Sequence, residues 1–152
     1  MSINLENLRN VRGLIIFEIF EWEFCADIQN IVAIIKPVEC QKLYLRNMLT
    51  ALEFKEMKFS IVDLKNKIFG IKPNEFGDDG RVILFEMFGK RFCFFVRSVI
   101  EILTTDRIFI EKSLDFIPVS DKKYIRSHLK YQDRIIHIPD FETLVKELKM
   151  DV

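Results

Sequence analysis

Paired cysteines, a net charge, a long apolar run and a histidine cluster are all missing here, and each absence removes a class of protein. Only three of 152 residues are cysteine: Cys25, Cys40 and Cys93. An odd, widely spaced set does not make the disulfide framework of a small secreted domain. The 23 basic and 23 acidic side chains cancel, which removes the electrostatic footprint of a nucleic-acid binder. The apolar stretch Leu14–Phe20 is interrupted by Glu18 and falls far short of the roughly 20 residues that span a bilayer. The first 13 residues hold Asn4, Glu6, Asn7, Arg9, Asn10 and Arg12 in place of an apolar leader. The expectation is a cytoplasmic protein with no direct membrane insertion.

What is present is apolar and aromatic. The chain is 49% hydrophobic and carries 15 phenylalanines, each giving roughly 1.5–3 kcal/mol when buried. A large core follows without disulfides. Leu14–Phe20 and Trp22–Asp27 read as a hairpin turning near Glu21. Ile28, Ile31, Val32 and Ile35 stand at helical spacing behind Asp27, so 28–35 is expected as a helix ended by Lys36-Pro37. The segment Leu43–Leu52 fits helix or strand. Lys58–Val62 reads as a strand, and Asp63 as the cap of a helical turn through Ile68. Residues Gly70–Gly80 hold three glycines and a proline and form a loop.

Beyond that loop, Arg81–Phe88 and Arg91–Val96 are strands joined at Gly89-Lys90. Ser98–Leu103 and Arg107–Ile110 are shorter apolar pieces, and Tyr124–Lys130 and Arg134–Ile138 make another hairpin around Tyr131-Gln132-Asp133. From about Pro139, Phe141, Leu144, Val145 and Leu148 mark an amphipathic closing helix. Many short strands with few helices predict a mainly β, barrel-type protein.

No catalytic or metal-binding constellation emerges. His128 and His137 flank one hairpin without a zinc-site spacing. Cys93 sits among Phe92, Phe94 and Phe95, where a thiolate is scarce. Glu75, Asp78 and Asp79 lack the alternate spacing and closing Glu of a calcium loop. Tyr124, Arg126, His128 and Lys130 share a face by period two. That stripe could stack on single-stranded nucleic acid, but the neutral charge favours a solvated strand edge.

The order of segments resembles the CheW-like domain, the module of bacterial chemotaxis coupling proteins and of the regulatory end of their kinase. Phe17-Glu18-Ile19 through Cys25-Ala26-Asp27-Ile28 is similar to the family's first hairpin, and Lys58-Phe59-Ser60-Ile61-Val62-Asp63-Leu64 to its "v-v-P-v-i-D-L" strand. Arg81–Glu86 with Phe92–Val96 resembles "i-i-v-v-e … v-G-l-l-V-D", and Ser98–Leu103 continues it. Tyr124–Ser127 and Ile135–Asp140 resemble the closing strands before the last helix.

The resemblance implies two five-stranded SH3-like β-barrel subdomains on a shared core, with short helices and a C-terminal helix, spanning 14–149 between tails 1–13 and 150–152. It implies a non-enzymatic adaptor, without cofactor or metal, that couples a chemoreceptor's cytoplasmic tip to the regulatory domain of a CheA-type histidine kinase. A small β-barrel nucleic-acid or ligand-binding module is the alternative. The positions matching the family's binding region are Ile31, Ala33, Ile34, Lys55, Glu56 and Phe59. Departures fall there: Lys55-Glu56 replaces Arg-Gly, Ser60 a proline, and Ala33 an acid. Cys93 and Arg97 replace a glycine and an aspartate. Lys in place of Arg loses a forked, bidentate donor, which puts receptor contact in question.

Overall fold

The computed structural model describes residues 13–71, 79–104, 115–118 and 123–148, the third of these as backbone alone. It is mainly β. The strands are β1 (Gly13–Ile19), β2 (Trp22–Asp27), β3 (Ile31–Ile35), β4 (Gln41–Leu45), β5 (Met48–Phe54), β6 (Met57–Ile61), β7 (Arg81–Met87), β8 (Lys90–Val96), β9 (Ser98–Thr104), β10 (Asp115–Pro118), β11 (Ile125–Tyr131) and β12 (Arg134–Pro139). Two short helices, α1 (Leu64–Phe69) and α2 (Phe141–Glu147), complete the described elements with 3-10 turns at Ile28–Asn30 and Pro37–Glu39.

The strands form two six-stranded sheets, ordered β10-β11-β12-β2-β1-β9 and β3-β7-β8-β6-β5-β4. Each therefore holds one strand more than the five per barrel expected from the resemblance. The first sheet is discontinuous in sequence, because the whole second sheet is inserted between β2 and β9. Each sheet contains one parallel seam, β12 on β2 and β6 on β8, among antiparallel neighbours. Gly13 opens β1 against β9 so closely that an added Cβ would stand 2.3 Å from the Leu103 carbonyl oxygen. Only glycine permits that approach.

Alternation sorts the apolar residues into three clusters. Ile16, Cys25, Leu103, Leu129, Tyr131 and Ile136 fill the first sheet. Ile35, Leu52, Phe59, Val82, Leu84 and Cys93 fill the second. Between them lies the shared core, where Phe17 and Phe24 of the first sheet meet Ile83, Phe85, Phe92 and Phe94 of the second. Phe94 touches Phe17 at 5.3 Å and Phe141 at 5.7 Å between ring centres, so α2 seals both sheets at once. Helix α1 starts as the sequence indicates, with Asp63 Oδ1 accepting from the Asn66 N–H at 3.0 Å, and α2 starts behind Asp140, whose Oδ1 accepts from the Thr143 N–H at 3.1 Å.

The expected helix over 28–35 is wrong. Asp27 caps only the 3-10 turn Ile28–Asn30, accepting from Gln29 N–H at 2.9 Å, and 31–35 is strand β3. A bulge between Ile31 and Ala33 breaks the two-residue period there. The ambiguous segment 43–52 is the β4–β5 hairpin. The hairpin turn after β7 is Phe88-Gly89, one residue earlier than expected. Strand β10 was not anticipated, and the apolar piece Arg107–Ile110 lies outside the described residues.

Candidate docking surfaces

Strand β3 is the edge of the second sheet, paired among the described residues with β7 alone, Ile31 opposite Phe85 and Ile34 opposite Ile83. Ile31, Ala33 and Ile34 are all half-buried. Ile31 and Ile34 lean on the shared core, and Ala33 on the second sheet's interior. An apolar strand that keeps one backbone edge and part of its side chains in water can accept another protein's surface.

Lys55 and Glu56 are the two central residues of the β5–β6 turn and are exposed. Both lie at positive φ, 48° and 64°, as a two-residue hairpin requires. Lys55 Nζ stands 5.3 Å over the Phe54 ring. Phe59, three residues on, is 0% exposed inside the second sheet. The structure thus brings Ala33 and Phe59 into one cluster with Phe54 and Met57, the residues flanking the turn. Phe59 offers no side-chain surface to a partner; its influence would pass through that cluster.

A second apolar surface is absent from the sequence-based selection. At the tip of the β4–β5 hairpin Tyr44, Leu45 and Met48 are 61%, 65% and 69% exposed. Beside them a groove of 610 Å³ runs between β4–β6 and α2, with Leu43, Ile61, Leu144 and Leu148 in its walls and Lys58, Asp63, Lys67 and Glu147 at its polar positions. The run Leu43–Leu52 carried the signal, but apolar residues in an ambiguous segment cannot be assigned to core or surface from sequence.

Polar side chains elsewhere hold elements together. Arg134 on β12 hydrogen-bonds Glu23 on β2, its Nε donating to Oε1 at 3.1 Å, and reaches Glu101 on β9 through Nη1. Those hydrogen bonds, Glu23's above all, hold the guanidinium still more firmly protonated. Glu147 accepts from the Tyr124 hydroxyl at 2.8 Å and pairs with Lys123 and Lys67. Its carboxyl is held below the usual range, mainly by the Lys123 hydrogen bond.

His128 and His137 do meet, directly opposite on β11 and β12 with ring centres 4.4 Å apart. No group of three or more His, Cys, Asp or Glu side chains converges on a metal position among the described residues. Burial pushes the Cys25 thiol up to about 12 and raises that of Cys93 as well, so neither supplies a thiolate at neutral pH. The basic-aromatic stripe is broken. A bulge between Ile125 and Ser127 shifts its phase, and Tyr124 precedes the strand, bound to Glu147. Of the acidic loop, Glu75 and Asp78 lie outside the described residues.

The model of the CheW-like domain matches residues 13–149. The crystal structure of the scaffolding protein TtCheW from Thermoanaerobacter tengcongensis matches with a TM-score of 0.65 at 22% sequence identity, over 86% of this chain and 89% of that one. At that identity the likeness is one of fold. No curated relative matches the chain.

Proposed function

The chain belongs to the CheW-like domain family, whose pattern covers residues 13–149, and from that premise we propose that it is a non-enzymatic cytoplasmic scaffold of chemotaxis-type signalling. Its partners in this reading are the regulatory domain of a CheA-type histidine kinase and the cytoplasmic tip of a chemoreceptor. The mechanism is geometric: docking fixes the kinase in a position where receptor state can act on it, and no bond is made or broken in this chain. The observation that carries the reading is the half-buried apolar edge of β3, whose Ile31, Ala33 and Ile34 stand at the positions that the resemblance assigns to partner binding.

Several features accord with it. The buried cysteines are chemically quiet. No described helix is long and apolar enough to cross a membrane. Lys55 and Glu56 stand exposed where the family has Arg-Gly, and an ammonium is a point charge in place of a bidentate fork. Receptor contact is therefore the weaker of the two couplings.

Calorimetric titration against the cognate kinase regulatory domain tests the proposal. Binding is expected at or below tens of micromolar, weakened about tenfold by Ile31→Ser, which removes an interface anchor. No heat at those concentrations ends the kinase reading. The pair Lys55→Arg with Glu56→Gly is expected to tighten receptor binding, and an unchanged affinity removes that turn from the receptor site.

A further inference from the structure

Strand β4 ends the second sheet and, among the described residues, pairs only with β5. Its outward edge has a definite polarity. The Leu43 carbonyl faces β5, where the Thr50 hydroxyl donates to it at 3.5 Å. The register slips between Leu43 and Tyr44, but the extra residue there is Thr50 of β5; β4 keeps its own alternation of backbone groups, so the N–H and C=O of Lys42 and Tyr44 point away from the sheet. Tyr44 and Leu45 are largely exposed at the same place, with Met48 across the turn.

We propose that this edge is a self-association surface: two copies of the chain join by antiparallel β4–β4 pairing about a two-fold axis at Leu43. In that register the outward groups of Lys42 in one copy bond those of Tyr44 in the other, twice by symmetry. Leu43 meets its counterpart at the narrow, non-hydrogen-bonded position. Each Lys42 ammonium stands opposite a tyrosine ring, and Gln41 stands opposite Leu45. No like charges face each other. A shift of the axis to Tyr44 would set Lys42 against Arg46, so the charges select the first register.

The occupant argued for is a second copy because the surface complements itself. The groove beside β4 holds two cations, Lys58 and Lys67, and two anions, Asp63 and Glu147. A balanced surface does not repel its own image, and it offers no excess of one sign to a strongly charged partner. A lysine on an exposed edge normally blocks pairing; here tyrosine receives it.

Sedimentation equilibrium of the full chain from about 5 to 500 µM, the range of weak interfaces, is the test. The expected result is a mass that rises from one chain toward two. Tyr44→Lys places an ammonium opposite Lys42 and should weaken association about tenfold. Adding Lys42→Glu to Tyr44→Lys restores an opposite-charge pair and should recover the wild-type value within about threefold. Both positions are exposed, so the fold survives both changes. A monomer at every concentration overturns the proposal. So does a dimer indifferent to Tyr44→Lys, or a loss that Lys42→Glu leaves uncorrected. A monomer whose β4 binds an extended peptide gives the edge to another protein and also overturns it. The measurement uses this chain alone, so its failure leaves the kinase reading standing.

Discussion

From edge to edge, β9-β1-β2-β12-β11-β10 and β3-β7-β8-β6-β5-β4 follow one plan. In each, a hairpin (β1–β2 or β7–β8) joins a second hairpin (β11–β12 or β5–β6) through a parallel seam, and one further strand flanks each side. Each interior also contains one buried cysteine, Cys25 or Cys93. The halves differ in how they are finished. In the first, Arg134 draws β12, β2 and β9 together through Glu23 and Glu101. Within the second, the ion pair among the described residues is Arg91–Glu86, on neighbouring strands at 3.7 Å. Its flanking strand β3 carries half-buried apolar side chains, as β9 does in the first half, and β4 adds the exposed Tyr44 and Leu45. Equal wiring therefore carries a three-strand ion-pair network in one half and exposed apolar side chains at the β4–β5 tip in the other.

The most drastic way to probe that division is to remove what the halves share. Phe94→Ala empties a position touching Phe17, Phe85 and Phe141 and should cost about 3–5 kcal/mol. Because the core is common, urea unfolding should move as a single transition. Two separated transitions would show that the sheets fold independently.

Arg134→Ala acts on the first half alone. Its partners Glu23 and Glu101 are left without their cation in a partly solvated site, for a loss of about 1–2 kcal/mol. Amide exchange should quicken in β12, β2 and β9 while β3–β8 stay protected. Equal acceleration in both sheets would contradict the comparison.

The smallest change sharpens the second half. Glu56 occupies φ 64°, a conformation that costs a side-chain-bearing residue and not glycine. Glu56→Gly should raise stability by about 0.5–1 kcal/mol, read as a shift in the urea midpoint. A decrease would mean that the Glu56 side chain stabilises the turn by more than its strain.

Much of this was legible in the sequence wherever alternation ran unbroken. The hairpins β1–β2, β7–β8 and β11–β12 followed from their apolar runs, as did α2 from its spacing. Strand β3 failed for a physical reason. The bulge at Ile31–Ala33 adds one residue, the two-residue period slips, and Ile28, Ile31, Val32 and Ile35 then imitate a helical face. The turns at Phe20-Glu21 and Gln132-Asp133 were placed by the apolar runs on either side, whereas Arg46-Asn47 and Lys55-Glu56 were blurred because they take positive φ without glycine. At the candidate site, the resemblance selected positions without sorting surface from core: Lys55 and Glu56 are exposed in a turn and Phe59 is buried, since a phenylalanine reads alike on either face of a strand. Tyr44, Leu45 and Met48 escaped for the same reason.

The insertion of the second sheet between β2 and β9 also orders events during synthesis. Once residue 96 has left the ribosome, every strand of the second sheet has been made. At that moment β1 and β2 still lack β9 through β12, and their apolar faces must wait in the open while the last third of the chain is translated. Nascent molecules stalled at that stage would expose Ile16 and Cys25, making the first hairpin the natural client of a chaperone.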